Sequence, residues 1–402
     1  MTSLFLDGGA HAESVRIAQG TVAAVGAAAA GPADTRLDIP PGASVRVGAI
    51  NAHTHLYSGL VPFGMPAPAP TPENFVQILE RVWWRLDRAL DEASLRAAAR
   101  YYIAEALLAG TTTLIDHHES PNFIEGSLDV LAEAADELGV RFLTCYGATE
   151  RNGGYAEAER GLDECRRFIE SNRRGSVKGA VALHASFTVS DAAIRKAGEL
   201  CRDLDSVMHV HLAEDAADVA DAQQRGFAGP LERLLELGAL PPGSILAHGV
   251  HLSEDQVRRA ADAGCTFVHN PRSNEGNRVG YAKSLCATDR VALGTDGYAA
   301  NMADELAAFE RLAGAAGDST PSSARVRGSH ALCSQLFGAE FAAAVAPGVV
   351  GDLVVGSPEQ PPTHVVVAGR VVVRDGALVH VAEIRDTAQA QATKLWERMA
   401  RL

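Results

Sequence analysis

Eight short apolar runs constrain this chain more than any other feature. They cover residues 47–51, 112–116, 140–145, 179–184, 207–211, 244–248, 265–269 and 291–296. Each ends in polar residues, and each is followed by a helical pattern. Strand–helix alternation implies parallel pairing, because parallel strands need a long return connection. Eight such units predict an α/β fold, a closed (β/α)8 TIM-like barrel. No fixed-period repeat is visible, so a solenoid is not expected. The chain ends read differently. Residues 14–18 and 20–26 near the start, and 351–356 and 364–373 near the end, are short strands punctuated by glycine. Neither end has enough strands to bury both faces of a sheet, so together they predict one small β-sandwich. The expected organisation is 1–47 as the N-terminal part of the sandwich, 48–347 as the barrel, and 348–402 as the rest of the sandwich. An amphipathic helix over about 382–402 would close the last segment.

Composition narrows the class. Of 402 residues, 47% are hydrophobic and 21% charged, which supports a packed core and excludes disorder for the chain as a whole. A net charge of −14 argues against nucleic acid as the main partner, since phosphate contacts need clustered Lys and Arg. It leaves a small-molecule substrate open. The six cysteines are scattered with no CxxC pair, which predicts reduced thiols and neither a disulfide framework nor a zinc ribbon. Residues 1–7 lack a basic segment before an apolar core, and the longest apolar runs, such as 20–31, are too short to span a bilayer. A cytoplasmic protein without a membrane partner is expected.

The histidines sit where a barrel would use them. In this fold the C-terminal strand ends form the active-site face. His53-Thr54-His55 follows the first run, and residues two apart in an extended segment point to the same side. Two imidazoles can therefore reach one metal ion. His211 ends the fifth run and Asp296 the eighth. Three His and one Asp make an N3O donor set suited to zinc, or to iron or another divalent ion. The alternative is a set of buried, hydrogen-bonded side chains.

The order HxH, then His211 with Glu214 three residues later, then His248, then Asp296 resembles the amidohydrolase superfamily. Within it, the chain resembles the group of cytosine and guanine deaminases and s-triazine hydrolases, and most of all the SsnA aminohydrolase family. Stretches 53–60, 83–92, 115–118, 269–274 and 292–297 carry the likeness. The resemblance implies a barrel plus β-sandwich and one divalent metal ion, zinc first, with iron or manganese as alternatives. His53, His55, His211 and Asp296 would hold it. Binuclear relatives carry a lysine at the end of strand four; His184 stands there here, which favours one metal. Asp296 would be the general base. Glu214 would carry protons to the ring and the leaving amine, and His248 would orient the nucleophile or polarise the substrate. Glu214 could instead be a helix N-terminal carboxylate. Relatives imply a homodimer or larger homo-oligomer.

The expected reaction is hydrolysis of a non-peptide C–N bond. It would be deamination of an amidine-type nitrogen heterocycle (purine, pyrimidine or pterin-like) by metal-activated hydroxide. One alternative is a cyclic-amide ring-opening amidohydrolase, distinguished by a new carboxylate in place of ammonia. Another, from a different class, is a catalytically inactive metal-binding assembly partner. Candidate substrate-binding residues are Tyr57, His117, His118, His184, Asn270, Ser273, Asn274 and Tyr298, all past strand ends. Their donors and acceptors suit a flat heterocycle, though each could be an ordinary polar loop residue. His209 would lie deeper, as a packing or supporting residue. The Pro-rich segment 62–72 could be a lid or pocket wall, or a surface loop or dimer contact. Trp83 and Trp84 read as core or subunit packing before substrate stacking. Triazine-like members often carry a lysine near Glu275-Gly276-Asn277-Arg278, so triazine or thioadenosine specificity is not carried over.

Overall fold

A computed structural model describes residues 3–9, 12–26, 30–31, 34–379 and 383–402. Eight parallel strands form the barrel. They are β1 (Ala49–Thr54), β2 (Thr111–Asp116), β3 (Arg141–Thr144), β4 (Val181–Ala185), β5 (Met208–Leu212), β6 (Ile245–His248), β7 (Thr266–His269) and β8 (Val291–Leu293). Short segments extend two of them. Val177–Gly179, just before β4, pairs with β3, and Gly147–Ala148, just after β3, pairs with β4. Neighbours in sequence pair throughout. The ring closes where Thr54 bridges Asp296 and where the amides of Thr295 and Asp296 donate to the His53 carbonyl, both at 3.0 Å. β2 to β8 are buried along their whole length, as parallel strands covered by helices must be.

The sandwich joins the two chain ends. In one sheet the order is Thr21–Val25, Val15–Ala18, Ser3–Asp7, Asp34–Asp38. In the other it is Ala377–Leu378, Arg370–Arg374, His364–Val367, Leu353–Gly356, Ser44–Val47. Leu4, Leu6, Ile17 and Leu37 from the start pack with Leu353, Val355 and Val366 from the end. Val47 therefore belongs to the sandwich, opposite Leu353, and the first barrel strand starts at Ala49. Between them, Gly48 leaves room for β2, because a Cβ there would collide with the Thr112 side chain. β1 also runs further than the apolar pattern suggests and includes His53.

The last helix spans Ile384–Met399; position 382, where the amphipathic pattern starts, lies outside the described residues, as do 27–29 of the Ala/Gly-rich run. This helix docks beside the barrel mouth. Trp396 Nε1 donates to the Phe63 carbonyl at 2.9 Å and Arg398 Nε to that of Ala89 at 2.7 Å. All six cysteines are free, and only Cys286 is exposed. Among the described residues no helix is long and apolar enough to cross a membrane.

One buried ion pair ties the N-terminal end of the barrel to the sandwich. Arg141 forks onto Asp352, Nε to Oδ2 at 2.7 Å and Nη2 to Oδ1 at 2.9 Å, with side chains 10% and 3% exposed. Removing one partner strands the other charge away from water. Asp352→Ala is expected to lower unfolding free energy by about 3–5 kcal/mol in chemical denaturation. A loss below about 1 kcal/mol, the range of exposed pairs, would show that the fork does not hold the two parts together.

Candidate metal centre

β1 delivers His53 and His55 to one side, since they are two apart in extended backbone. β5 delivers His211 from across the barrel. His55 Nε2 lies 3.2 Å from His211 Nε2 and 2.8 Å from Asp296 Oδ1, and His53 Nε2 lies 3.3 Å from the same oxygen. Asp296 comes three residues past β8, in a left-handed conformation (φ 54°). Gly294 lets that segment approach β1, because a Cβ there would meet the His53 backbone at 2.6–2.7 Å. Tyr102, Thr295, Thr54 and Asn51 pin the loop from beneath through a buried hydroxyl and amide network.

The rings are held in the orientation that metal binding needs. His55 Nδ1–H donates to the His117 carbonyl at 2.5 Å, and His211 Nδ1–H to the His184 carbonyl at 2.6 Å. A carbonyl only accepts, so each Nδ1 carries the hydrogen and each Nε2 lone pair faces the centre. His53 Nδ1 lies 2.9 Å from His209 Nε2, while His53 Nε2 is buried without a hydrogen-bond partner. Burial pushes His53 down to about 3 and His211 well below the usual imidazole value. For His55 burial acts the same way, but the Glu119 and Asp296 carboxylates outweigh it and hold the ring well above. The two carboxylates thus favour positive charge at His55, while burial keeps His53 and His211 neutral, each with its Nε2 turned to the centre. An N3O donor set fits a divalent cation. Among the described residues, the groups whose ligand atoms all lie within 4.8 Å of one another are His53, His211, His248 and Asp296, then His55, His117 and His211, then Glu119, His184 and His211. The four-residue group thus has His248 where the sequence reading has His55.

Glu214 faces the cavity above these residues. The helix Ala216–Gln224 is capped by Asp215, whose Oδ1 accepts from Ala217 N, so Glu214 is not its cap. Asn277 Nδ2 donates to Glu214 Oε1 at 3.2 Å, and His248 Nε2 lies 3.5 Å from Oε2. Burial pushes the Glu214 carboxyl up to about 7; His248 opposes this and the Asp296 charge adds to it. His248 also has a positive φ, 76°, and its Nδ1 lies 2.8 Å from Asn274 Oδ1. Left-handed backbone at two non-glycine site residues is strain that the surrounding packing must hold. Ser273 Oγ donates to Asp296 Oδ2.

The eight residues read from sequence as substrate contacts separate into groups. Tyr57 and His184 line the cavity. Ser273 is spent on Asp296, and Asn270 and Asn274 crowd the His248 ring. His117 engages Glu119 Oε1 at 2.7 Å and the Leu183 carbonyl, and His118 Nε2 lies 2.7 Å from Ser120 Oγ. Tyr298 walls a neighbouring apolar cavity with Tyr101, Tyr102, Pro62 and Met65, so the Pro-rich segment borders that space instead. The cavity over the histidines is finished by Phe75, Leu79, Trp83, Trp84 and Asp87, and by Glu119, Phe187 and Asn277. Sequence reasoning missed these as site residues. A π-helical turn at Leu79–Trp83 interrupts the helical pattern and changes which side faces inward. The available signal was Asp87, a carboxylate on an otherwise apolar helical stripe.

The sequence profile of the amidohydrolase family matches residues 45–372. Among characterised proteins, the 8-oxoguanine deaminase of Pseudomonas aeruginosa is 31% identical over 280 residues, 64% of this chain and 61% of that protein. The 5-methylthioadenosine/S-adenosylhomocysteine deaminase of Nitratidesulfovibrio vulgaris is 31% identical over 299 residues, 72% of this chain and 64% of that protein. The match thus spans less than two thirds of the length of these two relatives. An adenosine deaminase of Xanthomonas campestris with bound zinc shares the fold, at TM-score 0.84 and 22% identity over 100% of this chain and 99% of that one. So does the atrazine chlorohydrolase of Arthrobacter aurescens complexed with zinc, at TM-score 0.79 and 20% identity over 98% of this chain and 100% of that one.

Proposed function

The chain belongs to the amidohydrolase family, and from that premise we propose that it is a metal-dependent hydrolase of non-peptide C–N bonds that deaminates an amidine-type nitrogen heterocycle. In this reading residues 48–347 are the catalytic unit, and His53, His55, His211 and Asp296 hold one divalent cation, zinc first. When bound, the cation supplies Lewis acidity and brings the pKa of a water from about 15.7 toward ~7.

The chain's own groups do the rest. Asp296 takes the proton of the attacking water on Oδ1, while Ser273 occupies Oδ2 and fixes the carboxylate. Glu214, in its protonated form, delivers its proton to the ring nitrogen beside the attacked carbon. As the C–N bond breaks, the Glu214 carboxylate takes the proton of the new C–OH group and Asp296 passes the proton it holds to the departing amine, so that both residues return to their starting forms. His248, anchored by Asn274, faces Glu214 and the reacting carbon's substituents. Phe75, Trp83, Trp84 and Phe187 form flat apolar walls that exclude water around an aromatic ring. The observation that carries this reading is Glu214. A buried carboxyl that titrates near 7 stands in one cavity with an N3O donor set.

The test is ammonia release by metal-loaded protein from purines, pyrimidines and pterins. Appearance of a carboxylate without ammonia would instead support ring opening of a cyclic amide. His209 offers a second check, because its Nε2 orients the His53 ring. His209→Leu is expected to weaken metal affinity by about 10- to 100-fold, read by competition with a chromophoric chelator. Unchanged affinity would remove His53 Nδ1 from the support of the metal.

A further inference from the structure

Another group of buried polar atoms lines the same cavity and takes no part in the hydrolysis above. Asp87 is 2% exposed. Its Oδ2 accepts from Arg151 Nη2 at 2.8 Å, while its Oδ1 is buried and has no hydrogen-bond partner. One turn earlier, Trp84 Nε1 is buried and equally unpartnered. Both residues line the cavity. Arg151, with a side chain 6% exposed, lies 4.8 Å from the centre of the Trp84 ring and donates through Nε to Thr149 Oγ1. It therefore fixes both the tryptophan and the carboxylate. A strut between the helix and the loop would need only the Arg151–Asp87 bond. It would not require an acceptor and a donor left open on one helical turn, where unsatisfied buried groups are costly.

We propose that Asp87 and Trp84 form a substrate-recognition subsite. Asp87 Oδ1 accepts a ring N–H, and Trp84 Nε1 donates to the acceptor beside it. The substrate would then be a heterocycle with an N–H/C=O edge in addition to the C–N bond that is cleaved. The remaining lining agrees with this. Glu119 Oε2 is a further buried acceptor that lacks a hydrogen bond, with the His55 ring near it (Nδ1 at 3.4 Å), and among the described residues no lysine or arginine lines the cavity. Such walls favour a neutral ligand rich in N–H groups and disfavour phosphate or carboxylate substituents. Arg151 is a positioning residue that acts through Asp87. The inference rests on the deamination reading and names the substrate class of that site.

The experiment compares guanine, isocytosine and pterin with their ring-N-methylated forms and with adenosine, on metal-loaded protein. Amino-oxo rings are expected to release ammonia at least about 100-fold more efficiently than adenosine. Methylating the ring N–H is expected to cut kcat/KM by about 10- to 100-fold, mainly through KM. Asp87→Asn is nearly isosteric. Arg151 would keep the amide oxygen and turn the NH2 into the cavity, so an acceptor becomes a donor. The variant should lose the N–H substrates by about 10- to 100-fold and narrow or reverse their advantage over the methylated forms, with metal content unchanged. The unfolding midpoint should fall, because Arg151 keeps its charge while its buried partner loses one, but that loss does not discriminate between substrates. The subsite is overturned if adenosine is preferred, if methylation is tolerated, or if Asp87→Asn slows every substrate by one common factor. Ammonia from no compound, adenosine included, would overturn the deamination reading itself and this subsite with it.

Discussion

Replacing Glu214 with glutamine is expected to lower kcat by about 10²- to 10⁴-fold, the range spanned by positioned general acid–base groups. Glutamine keeps the shape and can still accept from Asn277 Nδ2 as Glu214 Oε1 does, so cavity geometry should survive. What disappears is a transferable proton. The pH profile adds a second readout with a definite sign. Burial pushes Glu214 up to about 7, so its protonated, proton-donating form dominates below that pH and is lost above it. Steady-state kcat should therefore fall by about tenfold per pH unit on the alkaline side, and the glutamine variant should lack that limb. Metal content measured on the same samples separates loss of proton transfer from loss of the cation. A Glu214→Gln protein with full metal and unchanged turnover would remove Glu214 from the mechanism.

Stripping the cation is expected to have a still larger effect. Bringing the pKa of a water from 15.7 to about 7 raises the hydroxide fraction at neutral pH by about eight orders of magnitude at most. No side chain in the cavity offers a comparable gain, since a positioned acid or base contributes about 10²- to 10⁴-fold. Dialysis against a strong chelator should take turnover to background, and adding back zinc, iron or manganese singly should show which ion restores it. The same samples should differ in stability. The His53, His55 and His211 Nε2 atoms converge on one another and on the Asp296 carboxylate, and a cation that binds only the folded chain stabilises it by about 4 kcal/mol at 1,000 times its Kd. His55→Ala should reproduce both losses. Full activity in protein shown by elemental analysis to be metal-free would end the metal-dependent reading.

Much of the fold follows from local pattern. Alternating apolar runs and helical stretches made the barrel legible, because a strand buried on both faces must be apolar throughout and must return through a helix. The pairing of Val47 with Leu353, more than 300 residues away, was legible only as a need. Each chain end had too few strands, so another segment had to supply the missing partner. The limits of single strands were less clear. β1 continues through His53 because its neighbours across the closing seam, Thr295 and Asp296, hydrogen-bond the His53 carbonyl, and those residues are remote in sequence.

For the site, the sequence by itself determined which residues could share a cation. His53 and His55 are two apart on one strand, and the runs carrying His211 and Asp296 end on the same rim; strand periodicity and barrel polarity require no knowledge of contacts. Tertiary structure alone decided which polar side chains remain available to a substrate. Ser273 and Tyr57 look alike as loop residues, yet Ser273 is consumed by Asp296 and Tyr57 is left on the cavity wall. His209 was placed correctly in depth, but its bond to His53 spans 156 positions. Asp87 and Trp84 became visible only when their open atoms and the Arg151 guanidinium were seen together. A side chain's donors and acceptors are a local property, whereas whether they are already satisfied depends on groups that the fold brings from elsewhere.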